Sequence, residues 1–254
     1  MKALVRRPGA RLAEGLVTHI DRRPVDVDLA ERQWRGYVAA LESAGWEPVE
    51  VEPAPECPDS VFVEDTMVVY DRTAVIARPG AMSRRPETEA AEKVVAGLGY
   101  SLVHVEEPGT FDGGDILKVG TTVYVGRGGR TNADGLRQLR AALTPLGATV
   151  VGVPLTKVLH LKSAVTALPD GTVIGYPANI DDVTVFERFL PVPEEAGSHV
   201  VLLGDDRLLM ASDAPRSAEL FADLGWMPVT VDIGEFEKLE GCVTCLSVRL
   251  RAID

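Results

Sequence analysis

Long apolar runs are absent from this chain. No stretch approaches the ~18 consecutive apolar residues of a membrane-spanning helix, and Met1-Lys2-Ala3-Leu4-Val5-Arg6-Arg7-Pro8 turns polar too early for a secretory signal. Cysteine is scarce as well. Cys57, Cys242 and Cys245 are too few, and odd in number, for a disulfide framework, which points to a reducing, cytoplasmic setting. Positive charge is in short supply, with 26 basic against 38 acidic residues and a formal net charge of −12. A nucleic-acid or anionic-membrane partner calls for a basic face, so neither is expected. The acidity suits a cationic substrate, although acidity alone commonly serves solubility. Metal-ligand spacing is missing too, since Cys57 and the four histidines fall in no pattern that zinc needs.

What remains is a globular composition. With 46% apolar and 25% charged residues over 254 positions, the chain can bury a real core. No low-complexity segment or linker divides it, so residues 1–254 are expected to form one domain. One phrase returns at intervals of roughly 50 residues: an apolar strand, a Gly/Asp turn, a second strand, a helix and a third strand. The first unit runs from Ala3-Leu4-Val5 through a Gly-, Arg- and Pro-rich loop (Arg7 to Val25) to a helix with apolar Leu29, Trp34, Tyr37, Val38 and Leu41. The second begins at Ser60, turns at Asp71-Arg72 and has its helix from Glu87 to Leu98. The third begins at Thr110, with a helix starting near Asn132, a good N-cap. The fourth runs from His160, with a shorter helix around Asp181 to Leu190, and the fifth from Ser198, with a helix from Pro215 to Leu224. Units that cannot each bury an apolar face alone are expected to pack in a closed ring, a pseudo-fivefold α/β propeller of ββαβ units closed by the chain ends. An open doubly wound α/β sheet is the plainer alternative. The ring is favoured because the polar residues of interest fall at equivalent places, the starts of the first strands.

Cys245 heads those residues. It opens an apolar strand pattern (Leu246, Val248, Leu250) after a glycine-containing turn, where a thiol can be held rigidly towards a cleft. The Cys242-Val243-Thr244-Cys245 spacing resembles a redox pair, but that motif belongs ahead of a helix, and a strand pattern follows here. Two buried, inert thiols are the plain reading of the same residues. His160, ahead of an apolar run, reads either as a satisfied strand histidine or as a proton carrier for Cys245. In Phe111-Asp112-Gly113-Gly114-Asp115 the glycines read as a turn or as a close backbone approach within a strand. Glu64 and Asp65 interrupt another apolar strand, and adjacency puts them on opposite faces. A carboxylate turned inward needs a cation, and a guanidinium satisfies two such groups bidentately. Arg84 and Arg130 lie in loops after second strands, where they are either surface groups or anchors for a substrate carboxylate.

Taken together, these motifs resemble the guanidine-modifying enzyme superfamily, and within it the dimethylarginine dimethylaminohydrolases. The likeness rests on Phe-Val-Glu-Asp at 62–65, Arg-Pro-Gly-Ala-x-Ser-Arg-Arg at 78–85 and Asp-Gly-Gly-Asp at 112–115. It continues in Arg-Thr-Asn at 130–132, His-Leu-Lys-Ser at 160–163 and Thr-Cys-x-Ser at 244–247, all in order along nearly the whole chain. The resemblance implies the same five-unit propeller, with Cys245 as nucleophile, His160 as general acid and base, and Asp112 among the catalytic residues, holding the guanidinium with Asp65. It also implies substrate contacts from Leu16, Asp59, Phe62, Glu64, Asp65, Arg84, Arg130 and Leu239, with Arg84 and Arg130 at the α-carboxylate. The implied reaction hydrolyses N-methylated arginine to citrulline and dimethylamine through a covalent thiouronium. No metal or cofactor is implied; the partner is the small-molecule substrate, and a homodimer is admitted. An arginine deiminase or amidinotransferase, or a non-catalytic propeller of the ribosome-associated type, are the competing functions. Asp112 departs from the Glu of many superfamily members, and the long helical insertion of bacterial arginine deiminases is absent.

Overall fold

Apolar alternation and helix caps shape the same local elements throughout the computed structural model, which describes residues 1–251. The strands form five three-stranded sheets among the described residues. In chain order, four of them are Met67–Tyr70 with Thr73–Ile76 and Ser101–His104, Ile116–Val119 with Thr122–Arg127 and Thr149–Pro154, Val165–Ala167 with Val173–Gly175 and Phe189–Pro191, and Val201–Gly204 with Arg207–Ala211 and Met227–Val231. Each opens as an antiparallel hairpin and adds a parallel third strand by a crossover. The fifth sheet joins the chain ends. Lys2–Val5 pairs parallel with Glu47–Glu50 and antiparallel with Val248–Leu250, with Lys2 opposite Leu250.

The helices follow their caps. Helix α1 (Val27–Ser43) starts at Asp26, whose side chain accepts the Leu29 N–H, and buries Ala30, Trp34, Tyr37 and Leu41 on one face. Helix α2 (Thr88–Gly97) buries Ala91 and Val95. Helix α3 (Ala133–Leu143) is capped by Asn132, whose side chain accepts the Gly135 N–H, and buries Leu136, Leu139 and Leu143. Helix α4 (Pro215–Asp223) has proline in its first turn, and α5 (Gly234–Glu237) is a single turn. The fourth unit departs from expectation. In place of a helix around Asp181 to Leu190 it has the 3-10 turns Pro177–Asn179 and Val183–Val185. There the Asp182 side chain accepts the Thr184 N–H, and the β-branched Val-Thr-Val run disfavours a helix.

Five first strands face a common axis. Met67–Tyr70, Ile116–Val119 and residues of the Thr166–Leu168, Val200–Leu202 and Ser247–Arg249 segments all line one cavity of about 740 Å³. A ring of sheets is the arrangement that brings them there. Each first strand is entered through a tight turn, at Val63–Thr66, Gly113–Asp115, Leu161–Ser163 and Ala196–Ser198, and at residues 243–246 before the terminal strand. The expected strands from Ser60, Thr110 and His160 run straight through the first three of these segments, where the structure has 3-10 turns instead.

Candidate active site

Four of those turns each deliver one reactive side chain. Asp65 lies within Val63–Thr66, Asp112 and His160 are the N-cap residues of the next two turns, and Cys245 lies in the turn two residues ahead of Val248. A cavity of about 10 Å³ lies among them, room for about one water. Its walls include Cys245, His160, Asp65, Arg84 and Arg130, together with Leu16, Asp59, Phe62 and Leu239. Leu159, Glu240 and Gly241 complete it.

Two expected site residues stand elsewhere. Asp112 is fully buried behind His160, not on the wall, with Oδ2 3.0 Å from the imidazole Nε2 and 3.0 Å from the Arg130 guanidinium. Its Oδ1 accepts the Gly80 N–H at 2.9 Å. Glu64 turns its carboxylate into the larger cavity, where Oε1 meets Lys162 Nζ at 2.5 Å and Arg249 at 3.0 Å. Adjacent acids do point to opposite sides, as alternation suggested, although the element is a 3-10 turn and not a strand. Only the Glu64 backbone reaches the Cys245 turn, its N–H donating to the Cys245 carbonyl at 3.2 Å.

Glycine makes the approach of these turns possible. A Cβ on Gly114 would stand 2.6 Å from His160 Nδ1 and 2.7 Å from Asp65 Oδ1, and one on Gly113 would stand 2.0 Å from the Glu64 carbonyl oxygen. The Gly-Gly pair of the sequence is a close approach, with the Gly114 N–H donating to Asp65 at 2.8 Å.

The charges are mutually fixed. Burial alone would lower the His160 imidazolium, but the Asp65 carboxylate, the hydrogen bond with Asp112 and the Asp115 charge overcome it and raise the group to about 9. Burial would likewise raise Asp65 and Asp112. His160 and Arg84, 2.6 Å from Asp65, bring Asp65 below its ordinary value; the His160 hydrogen bond does so for Asp112. Arg84 is held in turn by Glu87 at 2.8 Å and by the Asp59 and Phe62 carbonyls, while Arg130 commits one N–H to Asp112. Cys245 is different. Its contact with Cys242, Sγ to Sγ 3.4 Å, then burial and the carboxylates of Glu64 and Asp65, push its thiol well above the ordinary value. A cation bound beside it is what would release that proton.

Asp65, Asp112 and His160 also offer donor atoms within 4.8 Å of one another, close enough for a metal ion. The arginine pairs and the imidazolium already supply that positive charge.

Sequence reasoning missed three contributors. Asp115, pushed up to about 6 by burial, accepts the Thr131 hydroxyl at 2.5 Å and the Leu161 N–H at 3.0 Å, and so fixes the turn that carries His160. Glu87 anchors Arg84. Glu240 accepts the backbone N–H groups of Thr18 and His19 at 2.7 and 2.8 Å and ties the early loop over the cavity, beside the Leu16 N–H donated to Asp59 at 2.9 Å. Asp115 was visible inside its motif; Glu87 and Glu240 carried no local signal.

Fold and cavity together define an α/β propeller with a cysteine, a histidine and carboxylates gathered at its axis. No family model matches the chain. It is 68% identical over 252 residues to an N(G),N(G)-dimethylarginine dimethylaminohydrolase of Streptomyces coelicolor, covering 99% of this chain and 98% of that protein. Among solved structures, a cysteine-to-serine mutant of the Pseudomonas aeruginosa enzyme complexed with citrulline superposes with a TM-score of 0.91 at 34% identity, covering 98% of each chain. A histidine-to-glycine dimethylarginine dimethylaminohydrolase as an adduct with S-methyl-L-thiocitrulline gives a TM-score of 0.91 at 33% identity, covering 98% of this chain and 99% of that one. The chain belongs to the dimethylarginine dimethylaminohydrolase family.

Proposed function

We propose that this protein hydrolyses Nω,Nω-dimethylarginine to citrulline and dimethylamine, with Cys245 as nucleophile and His160 as proton carrier. The observation that carries the reading is the single small cavity walled by Cys245, His160, Asp65 and Arg130 in a chain 68% identical to a dimethylarginine dimethylaminohydrolase. A guanidinium is planar, cationic and resonance-stabilised, so it reacts only when held in line with a strong nucleophile. Asp65, with Asp112 behind it, supplies the negative seat. Arg130, the less committed of the two arginines, takes the α-carboxylate, with Arg84 as its positive neighbour.

In the free enzyme the Cys245 proton is held tightly. Arrival of the substrate cation stabilises the thiolate, which attacks Cζ to give a tetrahedral adduct. His160, charged below about 9, donates its proton to the leaving dimethylamine and leaves a thiouronium on Cys245. The now neutral imidazole takes a proton from water, whose attack on the same carbon releases citrulline and restores the thiolate. The substrate must enter past the loop tied by Asp59 and Glu240, because the cavity of about 10 Å³ is smaller than any arginine side chain. A reducing cytoplasm suits a free nucleophilic thiol; no helix among the described residues is long and apolar enough to cross a membrane.

The test is product analysis with asymmetric dimethylarginine, monomethylarginine and arginine, measuring citrulline, alkylamine and ammonia. Citrulline with dimethylamine is expected, and Cys245→Ser should abolish both while the protein stays folded. Citrulline formed at the wild-type rate by Cys245→Ser removes the thiol from the reaction. Ammonia from arginine, without turnover of dimethylarginine, converts the reading to a deiminase.

A further inference from the structure

The larger cavity lies on the other side of the Glu64–Asp65 turn from Cys245 and takes no part in the chemistry described above. At about 740 Å³ it is of the size that holds a small-molecule ligand. Its charge is the reverse of the molecule's. Lys118, Lys162, Arg249 and Arg251 line it against only two acids, Glu64 and Asp71, whereas the chain as a whole carries −12. Glu64 pairs with two of the four cations through one oxygen, which meets both Lys162 and Arg249, and its single charge balances only one of them. Among the described residues, neither Lys118 nor Arg251 pairs with a carboxylate. Lys118 Nζ donates to the Val69 carbonyl at 2.6 Å, and Arg251 donates to the Leu202 carbonyl at 3.4 Å. Lys118 and Arg251 both keep exposed surface along the cavity wall. The surrounding protein, and then the charges of Lys162, Arg249 and Arg251, pull the Lys118 ammonium down to about 8, so like charges face one another across the cavity. A recess of one charge sign concentrates counter-ions. Ammonium and guanidinium groups converging from different strands match a phosphate, whose oxygens accept from several donors at once.

We infer that this cavity is a second binding site, separate from the reactive one, for a small polyanion of the phosphate class. Lys118 and Arg251 are its open contacts, and Lys162 and Arg249 share their positive charge between Glu64 and the ligand.

Isothermal titration of the full chain in a low-salt, phosphate-free buffer tests this, with orthophosphate, pyrophosphate and metal-free ATP as probes. Saturable one-to-one binding of at least one probe is expected. Saturation by orthophosphate or pyrophosphate assigns the inorganic ion, and by ATP alone a nucleotide. Lys118→Met and Arg251→Ser should each weaken binding by about tenfold, with citrulline production and circular dichroism unchanged. Arg35→Ser, at an exposed site on α1, should leave the affinity as it was. The inference is overturned if none of the three probes saturates, or if affinity is the same in Lys118→Met and Arg251→Ser as in the wild type. It is equally overturned if Arg35→Ser weakens binding as much as they do.

Discussion

His160 sits between two carboxylates that need its charge. Its folded value of about 9 stands above the ordinary 6.5 of an unfolded histidine, so the native state binds the extra proton between those limits. The stability it contributes is therefore complete below about pH 6.5 and lost as pH rises through about 9, on the order of 3 kcal/mol. Chemical denaturation across that range should show the loss, and His160→Ala should flatten the slope. Gly114 tests the other side of the same imidazole. Gly114→Ala places a methyl group 2.6 Å from Nδ1, so the ring must move. Citrulline production should fall by about a hundredfold in a protein that still folds; wild-type turnover would show that the close approach is dispensable. At this scale much was legible. Cys245, His160 and Asp65 are on one cavity wall, because each unit's motif sits at the same turn. The destination of the Glu64 carboxylate was not, since adjacency separates two acids without saying which faces which chamber.

Elements were readable where local chemistry decides them. Asn132 caps its helix as expected, and α4 spans the expected segment to within one residue. The fourth unit failed because Asp181-Asp182-Val183-Thr184-Val185 satisfies its backbone locally through side chains. The loop between Arg7 and Val25 was visible as irregular, but its fastening was not. Thr18 and His19 bond Glu240 from more than two hundred positions away, and Glu240 holds a left-handed backbone, φ +62°, that its residue type does not announce. Glu240→Gln keeps the shape but gives up one of two acceptors. Amide exchange at Thr18 and His19 should quicken by about tenfold, with KM rising more than kcat falls. Unchanged exchange would remove Glu240 as the loop's fastening.

At the level of the whole molecule, the repeat period gave the ring and the terminal strand pairing gave its closure. The pairing of Lys2–Val5 with Val248–Leu250 has a direct consequence for Cys245, whose turn is continuous with that last strand. Leu4 is fully buried opposite Val248. Leu4→Ala should cost about 2–5 kcal/mol of stability, read by thermal or urea unfolding. Citrulline production should fade at lower temperature than in the wild type. A change under about 0.5 kcal/mol, the range of surface substitutions, would mean that this seam contributes little.

The Val63–Thr66 turn is a bulkhead one peptide thick. Glu64 serves one compartment and Asp65 the other, so inserting a single residue just upstream would carry Glu64 into the place of Asp65 beside the sulfur, and deleting one would carry Asp65 into the lysine-lined chamber. That segment must keep its length to the residue, because its two carboxylates are assigned to the chambers by position alone.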